Sequence, residues 1–82
     1  MPKLPQISGD QVVSVLRFLG YTFVRQNGSH ATYQKSSNLG RHTITIPLHK
    51  EIAKGTLHDI LNKISLFNAI SQEDLVRKLK KS

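Results

Sequence analysis

In "YTFVRQNGSHATYQK" an Asn-Gly pair separates two runs rich in aromatic and β-branched residues, and this arrangement constrains the chain more than any other feature. Such residues suit a pleated backbone. Asn-Gly supplies the positive φ values that a two-residue hairpin loop needs, so the two runs are expected to pair as antiparallel strands. "SSNLG" reads as a second turn and "RHTITIP" as a third strand, in which Ile44 and Ile46 share one face. Pro47 has no N–H to donate and ends the pairing. A short antiparallel sheet with one apolar face cannot stand alone and must be covered.

The cover is also written in the chain. Ser8 is followed three residues later by Gln11; Val12, Val13, Val15, Leu16 and Leu19 then recur at helical spacing until Gly20. A capping box, an apolar stripe and a glycine stop in that order predict a helix over residues 9–19. From Thr56, with Asp59 three residues later, Leu57, Ile60, Leu61 and Ile64 predict a second amphipathic helix. Ser71 with Asp74 starts a short third helix carrying Leu75, Val76 and Leu79, and its basic "RKLKK" end suits a helix C-terminus. The order α-β-β-β-α with a terminal helix predicts an α+β fold: a three-stranded antiparallel sheet with helices on one face. The 82 residues suit one domain spanning 1–82. A chain of this size buries only about 60% of the surface its unfolded form exposes, so the core must be economical.

Composition narrows the function classes. Twelve Lys and Arg against five Asp and Glu give a net charge of +7, which fits a polyanion, because each cation that neutralises a phosphate releases condensed counterions. An acidic protein partner fits the same charge. Without cysteine there is no disulfide and no thiolate metal site, and an intracellular setting is expected. "MPKLPQISGD" has no continuous apolar segment of the signal-peptide kind, and no run is apolar enough to cross a bilayer, so a soluble cytoplasmic protein is expected.

The chemistry centres on His30. With Asn27 and Gly28 as the hairpin loop, Gln26 lies opposite Ser29, Arg25 opposite His30 and Val24 opposite Ala31. His30 then shares a face with Arg25, Thr32 and Gln34, and Phe23 falls with this polar set. An imidazole, with an ordinary pKa of about 6.5, takes or gives a proton near neutrality. On RNA it can remove the proton of a 2′-hydroxyl, whose oxygen then attacks the adjacent phosphorus. Arg25, Lys35 or a backbone N–H near Gly28 can stabilise the charge gathering on the phosphate. The competing reading is a strand histidine that only makes hydrogen bonds.

The remaining candidates are weaker. Gly28 admits a left-handed turn and lets a phosphate approach the backbone; Ser29 is better placed to hydrogen-bond than to act as a nucleophile. Lys50 and Lys54 flank the start of the second helix, whose free N–H groups can receive a phosphate, or else form an ordinary solvated loop. His42, His49 and His58 do not make a metal motif, and no cofactor is expected. The group that protonates the leaving 5′-oxygen is open among His49, Lys50 and Tyr33.

Over roughly residues 3 to 65 the chain resembles the HicA toxin family of type II toxin-antitoxin systems. The landmarks are Leu4-Pro5, Ser8-Gly9, Leu19-Gly20, Gly28-Ser29-His30, Pro47 with His49, and Gly55-Thr56-Leu57. The resemblance implies a fold like the double-stranded RNA-binding domain and an activity as an mRNA interferase, an endoribonuclease that inhibits translation and growth. It implies His30 as the catalytic histidine with Gly28 and Ser29 in support. It also implies a HicB-like antitoxin that covers the active surface. "SLFNAISQEDLVRKLKKS" departs from the family pattern, lacking a glycine after the second helix and ending basic. The alternative function is a noncatalytic RNA- or DNA-binding module using the same basic face.

Overall fold

The computed structural model describes residues 6–81, so the Leu4-Pro5 landmark lies outside the described residues. The chain runs α1 (Gly9–Phe18), β1 (Thr22–Asn27), β2 (His30–Ser37), β3 (Gly40–Pro47), α2 (Lys54–Asn68) and α3 (Gln72–Lys80). The three strands form one antiparallel sheet in the order β1-β2-β3. This is the expected α+β layout with its extra terminal helix.

Local chemistry sets the helix ends. The Ser8 hydroxyl accepts from the Gln11 N–H and the Gln11 side chain accepts from the Ser8 N–H, closing the capping box. Gly20, at φ +97°, turns the chain out of α1. The Ser71 side chain caps α3 by accepting from the Asp74 N–H. The second helix begins at Lys54, two residues before the expected Thr56. Its N-cap is Ala53, which offers no side-chain acceptor. Ala69 at its other end adopts the left-handed conformation, φ 53° and ψ 43°, where a glycine costs less.

The core lies between the sheet and the helices. Ala31, Tyr33, Ile44 and Ile46 from the sheet meet Val12, Val15 and Leu16 of α1, and Leu57, Ile60, Leu61 and Ile64 of α2. Leu75 and Leu79 seal the helix layer from α3, and the Gln11 amide donates to the Leu79 carbonyl at 3.0 Å. β1 stays exposed along its whole length.

The hairpin departs from the expected register. Asn27 is paired with His30, Gln26 with Ala31 and Arg25 with Thr32, so the loop is Gly28-Ser29 rather than Asn27-Gly28. Gly28 takes φ +62°, while Ser29 has no positive φ. One glycine at the first loop position is what a type II′ turn requires, whereas Asn-Gly in a type I′ turn needs two positive values. Moving the loop one residue along the chain shifts each pair by two positions, which preserves the faces. Arg25 is therefore not opposite His30 but remains on the same side of the sheet. A bulge at Val24 then reverses the parity of β1, so that Phe23 pairs with Tyr33 instead of joining the polar set. Their rings meet edge-on at 5.7 Å.

Candidate functional site

The sheet face turned away from the helices carries His30, Thr32, Gln34 and Ser36 of β2, beside Asn27 and Arg25 of β1 and Arg41, Thr43 and Thr45 of β3. It is polar apart from Pro47 at the His30 end. The Thr32 and Thr45 hydroxyls hydrogen-bond across the strands at 3.1 Å, and Thr32 is 5% exposed despite lying on the open side. His30 stands at the end of this face, exposed, in register with Asn27 on one side and Pro47 on the other.

Three backbone hydrogen bonds bring a second histidine to this end. The Leu48 N–H donates to the Ser29 carbonyl at 2.6 Å, tying the segment after β3 to the hairpin turn. The Gly9 N–H donates to the His49 carbonyl at 2.9 Å, and the Ile52 N–H to the Ile7 carbonyl at 2.8 Å. Gly9 permits this approach because a side chain there has no room: a Cβ would run into the Pro47 carbonyl oxygen and lie 2.7 Å from the Leu48 Cα. Held this way, the His49 and His30 rings lie 6.3 Å apart, centre to centre, with planes at 67°. No hydrogen bond joins them, and neither ring hydrogen-bonds another group among the described residues.

Of the expected site residues, Gly28, Ser29 and Arg25 lie beside His30 on the hairpin, and Lys50 and Lys54 follow His49 in the chain. Gly28 forms the turn with open space around its α-carbon, and its carbonyl accepts from the Gln26 amide at 3.0 Å. Ser29 contributes its carbonyl to the Leu48 bond. Arg25 is exposed and diagonal to His30 across β1 and β2, a separation of about 7–8 Å that a guanidinium arm can span. Lys50 is exposed directly after His49, and Lys54 is the first residue of α2, where no side chain caps the N-terminus and no acidic residue occupies the first turn.

Lys35 lies elsewhere. It is five residues along β2 from His30, hence on the opposite face and about 17 Å away. Its ammonium donates to Asn68 Oδ1 at 2.7 Å and sits 5.8 Å from the centre of the Tyr21 ring. Tyr33 also faces the helices and is 4% exposed.

Lys35 belongs to a second polar cluster. Asn68 donates to the Tyr21 oxygen at 3.0 Å, and that hydroxyl meets His42 Nδ1 at 2.5 Å. The arrangement that gives every hydrogen a destination has Tyr21 donating to a neutral His42. Burial, aided by the nearby Lys63 charge, holds the His42 pKa below its ordinary value. Burial raises that of Tyr21, against a smaller opposite effect of the Asn68 hydrogen bond. This cluster ties the far end of the sheet to α2. It was not foreseen from the sequence, since Asn68 lies 33 residues from Lys35.

Among the described residues no group of three or more His, Cys, Asp or Glu is disposed to hold a metal ion, and no helix is long and apolar enough to cross a membrane. The family model for the HicA toxin of bacterial toxin-antitoxin systems matches residues 9–66. The chain belongs to the HicA toxin family. The HicA match opens at Gly9, the residue that seats α1 against the His49 segment, and covers α1, the whole sheet and most of α2. It leaves out α3. Comparison with curated proteins and with solved structures returned no match. Membership among HicA toxins makes this chain the toxin component of a toxin-antitoxin pair, with a cognate antitoxin as its partner.

Proposed function

We propose that the chain is an endoribonuclease, an mRNA interferase that cleaves transcripts without a metal and so inhibits translation and growth in the cytoplasm. His30 removes the proton of a 2′-hydroxyl, and Gly28 and Ser29 shape the turn that presents it. Arg25 lies on the same face, and Lys50 and Lys54 hold the RNA backbone near the start of α2, where the uncapped N–H groups favour a phosphate. Lys35 takes no part, being held on the other side by Asn68. A HicB-like antitoxin silences the toxin by covering the polar sheet face.

The observation that carries this reading is the state of the His30 ring: exposed, without a hydrogen-bond partner among the described residues, at the end of a polar face on a net positive chain. A histidine kept for structure alone would be expected to spend its ring nitrogens on the protein.

The test is incubation of purified protein with RNA in EDTA. The parent should cut, and His30→Ala should cut slower by about 10²- to 10⁴-fold, the usual contribution of general acid–base catalysis. Folding and RNA affinity of the variant should be retained. Intact RNA with the parent protein would favour a noncatalytic binding module, and a variant as fast as the parent would remove His30 from the chemistry.

A further inference from the structure

The geometry points to His49 as the general acid that protonates the leaving 5′-oxygen, an inference that rests on the ribonuclease reading of His30. Three observations converge. Its ring is 6.3 Å from that of His30, its nitrogens have no partner among the described residues, and its position is fixed through its own backbone rather than its side chain. Such a side chain is held in place and left free to react.

The spacing suits a shared phosphodiester. The 2′-oxygen and the 5′-oxygen are both bonded to one phosphorus during the displacement, so two groups flanking that phosphorus, each within about 2.6–3.2 Å of its own oxygen, serve both ends of the reaction. Two imidazoles too far apart to hydrogen-bond each other leave room for this bridge. The other two candidates fit less well. Tyr33 points to the helix side. Lys50 is exposed beside His49, but imidazole is the side chain suited to exchanging protons near neutral pH.

The step balances without a further reactant. A ring nitrogen of neutral His30 takes the proton from the 2′-hydroxyl, and the 2′-oxygen forms a bond to phosphorus. The bond from phosphorus to the 5′-oxygen breaks, the electron pair leaves with that oxygen, and His49 in its imidazolium form supplies the proton. The products are a 2′,3′-cyclic phosphate and a 5′-hydroxyl. Both histidines exchange protons with water before the next turnover.

The experiment uses a short RNA spanning a cleavage site mapped with the parent protein, made with oxygen or with sulfur at the 5′-bridging position of that site. A thiolate leaves without protonation, so an enzyme lacking only its general acid should recover on the sulfur substrate. His49→Ala is expected to slow cleavage of the oxygen substrate by about 10²- to 10⁴-fold and to cleave the sulfur substrate close to the parent rate. His30→Ala should remain slow on both. Parent-like cleavage of the oxygen substrate by His49→Ala, or a defect that persists undiminished on the sulfur substrate, would overturn the assignment. Recovery by His30→Ala instead of His49→Ala would do so too, by reversing the roles. Because the His49 side chain makes no hydrogen bond among the described residues, the fold should survive the change, and sulfur rescue itself reports an intact enzyme. Loss of activity in His30→Ala alone would overturn this inference and leave the ribonuclease reading standing.

Discussion

Gly9→Ala is expected to damage stability and cleavage together. The added methyl would lie 2.7 Å from the Leu48 Cα, against a comfortable carbon–carbon separation of about 3.5–4.0 Å, and would also run into the Pro47 carbonyl. Both obstacles are backbone, so relief requires α1 and the segment after β3 to part by about 1 Å. Such overpacking costs about 1–3 kcal/mol. The same separation weakens the 2.9 Å bond from the Gly9 N–H to the His49 carbonyl, worth about 0.5–1.5 kcal/mol. Against this, alanine gains at most about 1 kcal/mol over glycine in helix propensity. The net loss is about 1–3 kcal/mol, which in a domain of this size lowers Tm by roughly 5–20 °C. Urea denaturation at 25 °C measures the loss, and RNA cleavage well below the variant's Tm measures the effect of moving His49. An unchanged urea midpoint would refute the close-approach argument. A destabilised variant that, while still folded, cleaved at the parent rate would show that the position of His49 does not matter.

Two further substitutions probe the end of the molecule away from the histidine pair. Ala69→Gly should stabilise: relief of a left-handed alanine is worth about 1–2 kcal/mol, partly offset by about 0.4–1 kcal/mol for the freer unfolded chain. A rise of about 4 °C in Tm is the expected reading, and a fall would contradict the cap geometry. His42 should make stability fall as pH drops. Its folded pKa lies below the ordinary value of about 6.5, so the unfolded chain binds the proton more readily. The contribution is complete above about pH 6.5 and is lost as pH falls through 6.5 toward the lowered folded value. Urea midpoints between pH 7.5 and 5.5 should decline less in His42→Gln than in the parent, and parallel declines would show that His42 is not the group responsible.

Features governed by neighbours in the chain were legible in the sequence. The Ser8–Gln11 capping box, the glycine stop after α1 and the Ser71 cap each depend on residues a few positions apart. The existence of the hairpin was equally plain, but its register was not. Asn27-Gly28 and Gly28-Ser29 both satisfy a two-residue turn; the register realised comes with two features that local patterns do not show, the Ser29 carbonyl's bond to Leu48 and the bulge at Val24. Arg25 stayed on the face of His30 because a slip of two positions preserves parity, whereas Lys35, an odd number of residues from His30 along β2, falls on the opposite face. The first turn of α2 escaped notice because Ala53 gives no capping signal. His49 could be named as one of three open candidates, yet its approach to His30 depends on contacts with Ile7, Gly9 and Ser29, all distant in sequence.

The same bonds explain why stability and the proposed chemistry would meet at one end of this fold and separate at the other. The His49 segment draws its order from three sources at once: the hairpin turn, the N-terminus of α1 and the residues just before it. None of these bonds uses the imidazole of either histidine. On the proposed mechanism a change in either ring therefore removes a proton-transfer group and leaves the scaffold whole, while a change at Gly9 moves scaffold and ring together. Ala69 and the Tyr21–His42–Asn68 cluster lie on the helix side and touch none of the three bonds. Substitutions there should move the unfolding midpoint without altering cleavage by the folded protein. Finding cleavage altered in folded Ala69→Gly would mean that α2 communicates with the histidine pair by a route that these hydrogen bonds do not describe.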